Sequence, residues 1–545
     1  MPKAPRLTRS FIFFLCILTV QLGVFLYIAL RPFTLTPPQH TYTVLGKVYL
    51  YPIFYYPNMI IQGRDGEWSI RDTHTTAPQI RAHAQWFFII AGKISALLNI
   101  EPNALFIILQ ILGGIAVFSV SYLGIRYLLP NKYHLLALFF ALGMEVGPRL
   151  DRLFTSSGLS SFVPAFDSQT LILRHFGLPH HTWAEALGLV SLILLVLAYY
   201  TPTVPKLIAL FVTAFLATLF LPPLMMTIGL SVYSVFILWA IVTRSLKKLI
   251  TPLIVATIAI GIVGIQTKFE FAQAGFPWNS WSAVEKTWWN NKDAIMQYAS
   301  ALLPYIPFFI LLLIAVPAKW KQWSNKLRLV IILMAAWIII PFFLIPISAY
   351  DFFPIANLRL VDGYHYLAAG ILAAVGLVEC LTLLGNVKAR KMALVLVTAF
   401  TIGISALLSI TYLVPFLASQ KQLDPHAYPL TTTMQGIYFL RTLPKESGIM
   451  VRESFGEIIT GFANVRVYIG GIHGFPDWLQ RQWLANRFFS GTLPPQEALD
   501  FLHANDITYV FYGPDEQSST TQSPLYPSVL QPIFQNQSVT VFKVR

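Results

Sequence analysis

Charge is what this sequence has least of. Asp, Glu, Lys and Arg make up 11% of its 545 residues, against roughly 25% in a soluble domain. With 56% hydrophobic residues and a mean hydropathy of +0.62, that scarcity excludes an ordinary water-soluble fold and defines a polytopic membrane protein. Cysteine is nearly absent. Cys16 and Cys380 both lie in apolar segments, so neither a disulfide framework nor a cysteine metal site is indicated. Also missing are G-x-G-x-x-G, Walker and zinc-ligand spacings and any internal repeat, which leaves no sign of a nucleotide-binding domain or a solenoid. Carboxylates are scarcer than bases, giving a net charge of +14. The bases nevertheless fall in short clusters between apolar runs, with no basic face for a duplex, so a nucleic acid partner is not expected and their role is topological.

What is present is a succession of apolar runs near 10–31, 103–128, 133–147, 182–200, 205–221, 223–243, 249–266, 298–318, 327–349, 364–385 and 391–415. At about twenty residues each, some shorter, they predict about eleven transmembrane helices. With the N-terminus inside, one face collects Lys3, Arg6 and Arg9; Arg126 and Lys132; Lys206; Arg244, Lys247 and Lys248; Lys319, Lys321, Lys326 and Arg328; and Lys388, Arg390 and Lys391. That arrangement satisfies the positive-inside rule. The first run is longer than a signal-peptide core and no small-residue cleavage pattern follows it, so a retained helix is expected. Segment 84–101, with Lys93 in its middle, reads as an interfacial or half-inserted helix.

The other face receives outer loops near 32–102, 148–181, 267–297 and 350–363, and the tail. A transmembrane domain is therefore expected over 1–415 and a soluble extracytoplasmic α/β domain over 416–545, where charge, Gly and Pro rise and strand and helix patterns alternate. The tail predicts helices at 436–442 and 495–504, strands at 448–451, 465–470, 507–513 and 539–544, and a polar turn-rich connection near 514–525.

The stretch at 51–76, YPIFYYPNMIIQGRDGEWSIRDTHTT, is too polar to cross a bilayer and too long for a mere connection. It reads as the working face. Asp65, Glu67 and Asp72 are its carboxylates and the only acids before Glu101. A carboxylate at a membrane surface can take a proton from a hydroxyl or hold a divalent cation over a phosphate. Equally, Arg64-Asp65-Gly66-Glu67 reads as a surface turn, while Asp72 sits beside Arg71 in a Thr/His-rich run. The second outer loop holds Arg149, Asp151, Arg152, Asp167, Arg174, His175, His180 and His181. His180 suits a phosphate, a metal or a base-orienting role, or else simply starts a helix at headgroup depth. Arg359, with Asp362 and His365 at the start of a span, can clamp a lipid-linked phosphate through two hydrogen bonds, or snorkel to the interface. Trp278, Trp281, Trp288 and Trp289 fit an aromatic belt better than a sugar platform.

Taken in order, YYPNMIIQGRDGEW and RDTHTT, then FDSQTLI and LPHH, then GIYFLRTLPKESGIMV, RVYIGGIHGFPDW and ITYVFYGP resemble a bacterial group of GT-C-type polytopic membrane glycosyltransferases. The resemblance touches the first two outer loops and the tail. It implies a GT-C-like membrane protein in the inner (plasma) membrane that inverts the anomeric centre of a sugar taken from a polyprenyl-phosphate donor. The acceptor, a glycan, lipid or protein, would be engaged on the outer face among membrane lipids. It further implies an acidic base or metal ligand in the first outer loop, which leaves a divalent cation, Mg or Mn, open as a cofactor. Members of the group often carry an aspartate a few residues before the Tyr-Tyr pair; here Tyr51, Pro52, Ile53 and Phe54 precede Tyr55 and Tyr56. The implied role therefore passes to Asp72, Asp65 or Asp167, the last lying ahead of Pro179-His180, with Arg359, Arg71, His180 and Arg152 as donor-phosphate ligands. The alternatives are a non-catalytic envelope scaffold or lipid-linked-glycan binding protein on the same fold, which fold analogy cannot separate, and a transporter or flippase, against which the scarcity of charge in the spans counts.

Overall fold

A computed structural model describes residues 8–43, 54–145, 174–273, 275–278, 291–347, 365–419, 424–470, 477–520 and 525–545. Eight helices among these are long and apolar enough to cross a membrane: Arg9–Leu35, Pro102–Leu128, Pro179–Tyr200, Pro222–Val242, Leu246–Glu270, Tyr298–Gln322, Asn325–Leu344 and Val387–Thr411. Each coincides with a predicted span. Two more predicted spans appear as shorter apolar helices, Val204–Phe220 and Tyr366–Thr382. The run at 133–147 is broken into His134–Leu138 and a π-helical turn, Phe139–Gly143. The chain is thus an α-helical, multi-pass membrane protein with a small C-terminal sheet domain.

Its residues fall into two compact units. The first comprises Met1–Tyr27, Leu109–Gln266 and Glu285–Ser419; the second comprises Ile28–Ile108, Thr267–Val284 and Gln420–Arg545. Helix Tyr366–Thr382 lies at the centre of the first unit, buried along nearly its whole length. Its sequence, YLAAGILAAVGLVECLT, is rich in small residues because membrane helices associate by close backbone approach rather than by hydrophobic drive. A Cβ built on Gly376 would stand 2.9 Å from the backbone nitrogen of Leu312. Gly376→Val is therefore expected to destabilise the protein by about 1–3 kcal/mol through overpacking. Thermal unfolding in detergent checks this against Gly403→Val, where nothing lies within 4 Å of the added carbon.

In the second unit, helices Tyr55–Arg64 and Trp86–Leu98 pack together, and the tail forms a mixed sheet. Its strands are β1 Gly448–Met450, β2 Arg466–Val467, β3 Tyr509–Tyr512, β4 Leu530–Gln535 and β5 Thr540–Val544, in the order β2-β1-β3-β5-β4. The β1 pairings with β2 and β3 are parallel, and the β5 pairings are antiparallel. The predicted helix at 495–504 is present, and the one at 436–442 begins earlier, as Thr431–Phe439. Three helices differ from expectation: Glu453–Phe462, Trp478–Phe489 and Pro514–Ser519. The first carries two glycines, which weaken its local signal; one of them, Gly461, is required by the Phe54 ring, which a Cβ would approach to 2.6 Å. Strand β4 also escapes prediction because Pro532 interrupts it, and β4 is accordingly an edge strand.

The segment leading into this domain is fastened at His426. Its imidazole lies 3.2 Å from Asp424 and 3.2 Å from Asp515. Hydrogen bonds that its ring N–H groups donate to Asp424 and then Asp515 raise its pKa from 6.5 to about 9. A raised pKa means that the contribution is complete below the unfolded value and is lost as pH climbs through the folded one. Thermal stability of the wild type should therefore fall more steeply between about pH 7 and pH 10 than that of His426→Gln.

Candidate functional site

The first loop is organised by two amides one helical turn apart. Asn58 and Gln62 of Tyr55–Arg64 are both buried. Gln62 Nε2 donates to Asn58 Oδ1 at 2.7 Å and to the Arg71 carbonyl at 2.8 Å, while the Arg71 N–H donates to Gln62 Oε1 at 2.9 Å. Asn58 Nδ2 in turn donates to the Thr460 carbonyl at 2.8 Å. Residue 71 is thereby tied to the helix before it, and that helix to the tail.

Asp72 sits inside this framework with its side chain 1% exposed. Oδ1 accepts the His74 backbone N–H at 2.9 Å and lies 3.2 Å from His74 Nδ1. The other ring nitrogen of His74 is 3.1 Å from Thr460 Oγ1, and the ring packs on Tyr55, 5.1 Å between centroids. Burial and then the Asp72 charge push the Tyr55 phenol well above its ordinary value. Asp65 follows the last turn of the same helix: Oδ2 accepts from Asn464 Nδ2 at 2.7 Å and its carbonyl from Lys445 Nζ at 2.9 Å. Gly66 has φ of 107°, the left-handed conformation of the expected Asp-Gly turn. Arg71 pairs with Glu446 at 2.6 Å, Arg81 binds the other Glu446 oxygen, and Arg81 also meets Glu67 at 3.2 Å. All three first-loop carboxylates and Arg71 thus hold protein partners, and two of these four contacts, Glu67–Arg81 and Arg71–Glu446, are charged pairs of the kind that fix a loop.

Sequence reading did not single out Glu453 and Glu457, one turn apart on Glu453–Phe462. Burial raises both carboxyls above the usual range, and Glu457 feels His74 next. Glu453 accepts from Trp478 Nε1 at 3.0 Å and from Gln482 Nε2 at 3.2 Å. The E-x-x-x-E spacing was the available signal, and the two glycines of the segment obscured it.

The first unit contains a second polar cluster, built at the ends of three predicted spans. Glu145 and Arg174 face each other at 3.8 Å with side chains 0% and 2% exposed. Ser409 Oγ donates to Glu145 Oε2 at 3.0 Å, and the Glu145 N–H to Ser405 Oγ at 2.8 Å. Arg174 Nη1 donates to the Met144 carbonyl at 3.1 Å, and its guanidinium lies 3.6 Å from the Tyr366 ring centroid, a cation–π contact. His365 touches both Tyr366 and Tyr298, 4.5 and 4.8 Å between centroids. His175 is buried 4.8 Å from Phe118, and neither of its ring nitrogens has a hydrogen-bond partner among the described residues. His180 opens helix Pro179–Tyr200 behind Pro179, buried, with its ring 4.3 Å from that of His181. An ion pair withdrawn from water inside an apolar bundle is costly, which makes it a functional-site candidate in its own right. The π-helical turn just before Glu145 is another feature that gathers at working sites.

Of the predicted site residues, Asp72, Asp65 and Arg71 lie together in the second unit and His180 lies in the first; Asp167, Arg152 and Arg359 lie outside the described residues. Glu145, inside the run at 133–147, is a buried carboxylate in a span that sequence reading treated as uncharged. Among the described residues no group of three or more His, Cys, Asp and Glu side chains converges as a metal site would require.

These features define a polytopic membrane protein with a buried charged cluster and a sheet domain tied to its first loop. Solved structures similar to the chain include ArnT from Cupriavidus metallidurans bound to undecaprenyl phosphate, at 12% identity over 96% of this chain and 97% of that one, with a TM-score of 0.48. The oligosaccharyltransferase of Archaeoglobus fulgidus in its apo form matches at 14% identity over 95% and 73%, with a TM-score of 0.47. Likeness at this level assigns no role to any residue. No family model matches the sequence, and no curated protein does.

Proposed function

We propose that the protein is an integral membrane glycosyltransferase that moves a sugar from a polyprenyl-phosphate donor to an acceptor hydroxyl on the outer face of the inner membrane, with its tail extracytoplasmic. The reaction is a displacement. The acceptor oxygen bonds to the anomeric carbon on the face opposite the leaving group, the bond from that carbon to the phosphate oxygen breaks, and polyprenyl phosphate departs with the electron pair. A base takes the hydroxyl proton, and cations hold the charge developing on the phosphate. Asp167 is the proposed base, with Arg359, Arg152 and His180 on the leaving phosphate. Asp72, Asp65 and Arg71 serve by fixing the first loop, since their side chains already bind the protein.

The observation that carries this reading is the buried Glu145–Arg174 cluster, in which the described chain next to both remaining loops is gathered. Asp167 precedes Arg174 by seven positions and Arg359 precedes His365 by six, and Arg174 and His365 both contact Tyr366. The test is transfer by purified full-length protein from radiolabelled polyprenyl-phosphate sugars in liposomes. Labelled product from at least one donor supports the enzyme. Intact donors that bind without turnover favour the non-catalytic reading, which the engaged first-loop carboxylates keep in view.

A further inference from the structure

The tail carries a cavity whose lining includes none of the residues assigned above to the transfer reaction. It has a volume of about 380 Å³ and lies where β1 and β3 begin and β5 ends, with Lys445, Glu446, Arg466, His503, Asp506 and Lys543 on its walls. That volume falls within the roughly 300–1,000 Å³ of small-ligand sites.

Its charges do not balance. Glu446 is held by two guanidiniums, Arg71 at 2.6 Å and Arg81. Asp506 is held by Arg466, whose Nε and Nη1 donate to the Glu446 carbonyl at 2.8 Å and the Thr76 carbonyl at 3.0 Å. Both wall carboxylates are therefore engaged by arginines that are themselves fixed. The Arg71 guanidinium is held below its usual range by burial and then by the nearby Arg466 charge, as crowding of like charge requires. The two ammonium groups stand differently. Lys445 and Lys543 are exposed; Lys445 makes one bond, to the Asp65 carbonyl, and neither forms an ion pair among the described residues. Each ammonium has three donors, so up to five of the six N–H groups remain for a guest. Beside them, Ser447 and Thr508 offer hydroxyls and Tyr509 a ring.

We infer that this cavity binds a sugar bearing a carboxylate or a phosphate, with Lys445 and Lys543 on the anionic group and the hydroxyls and the Tyr509 ring on the sugar. The arginines are matched by Glu446, Glu67 and Asp506, so the excess positive charge is that of the two flexible lysines, which reach the anion, and an aromatic face with hydroxyls suits a pyranose. The cavity is lined by tail residues alone and the inference is read by binding, so it stands or falls separately from transfer.

The experiment is calorimetric titration of the full-length protein in detergent with glucuronate, glucose 1-phosphate, inorganic phosphate and glucose, for wild type and Lys445→Ala/Lys543→Ala. Losing charge-assisted bonds worth about 1.5–3 kcal/mol should weaken anionic sugars by ten-fold or more, and added salt should weaken wild-type binding. Glucuronate and glucose 1-phosphate separate the carboxylate from the phosphate source. Equal affinity of wild type and variant overturns the inference, as does failure of both anionic sugars to bind folded wild type. Phosphate binding as tightly as glucose 1-phosphate overturns the sugar assignment. An unchanged thermal midpoint for the variant confirms that it folds.

Discussion

Asp167→Asn should lower sugar transfer by about 10²–10⁴-fold, the range contributed by a positioned general base, while leaving the thermal midpoint and donor binding unchanged. Asparagine keeps the shape of aspartate and removes only its capacity to take the hydroxyl proton. Asp72→Asn is the informative partner. Asp72 is buried against His74, whose ring reaches Thr460, so its substitution acts through the first loop and lowers stability along with rate. Measuring kcat together with the unfolding midpoint separates the two. A fall in kcat for Asp72→Asn with an unchanged midpoint, beside full activity of Asp167→Asn, transfers the role of base to the first loop.

Arg174→Met is expected to destabilise the protein by about 3–5 kcal/mol, the cost of leaving a buried ion without its partner. Methionine preserves most of the apolar stem, so the loss is electrostatic. Glu145 would keep its bond from Ser409 but lose the guanidinium at 3.8 Å. The double substitution Arg174→Met/Glu145→Gln should recover a large part of the loss, because a neutral amide no longer demands a counter-charge. Unfolding by SDS titration reads both. If the double variant is as unstable as the single one, the damage lies in the lost stacking on Tyr366 rather than in the unpaired charge.

Much of this architecture is legible in the chain because a bilayer makes one simple demand: about twenty apolar residues per crossing. Each long apolar helix therefore coincides with a run visible in the sequence. Helix Tyr366–Thr382 is legible as a span, whereas its central position, to which its alanines and glycines answer, is seen only in the folded chain. In the tail, Pro495–Ala504 carries a clean helical start with proline at its head. The neighbouring Glu453–Phe462 does not, since its glycines answer to packing that only the folded chain contains. The candidate site divides the same way. The Asp65-Gly66 turn is local chemistry and is readable, whereas the engagement of Asp72 is not: its partner His74 is two residues away, but the Thr460 that completes the contact lies 386 positions further on.

The sequence by itself determined the membrane-spanning character, the order of the spans and the separate composition of the tail, because each follows from hydropathy and propensity within a short window. Only the tertiary structure decided which ionisable groups are buried and against what. Glu145 is unremarked at the end of an apolar run, and Arg174 is one of several basic residues in a loop; their pairing links positions 29 apart and draws in Tyr366 and Ser409 from two further helices. Burial and electrostatics depend on everything within a few ångströms, whatever its distance along the chain.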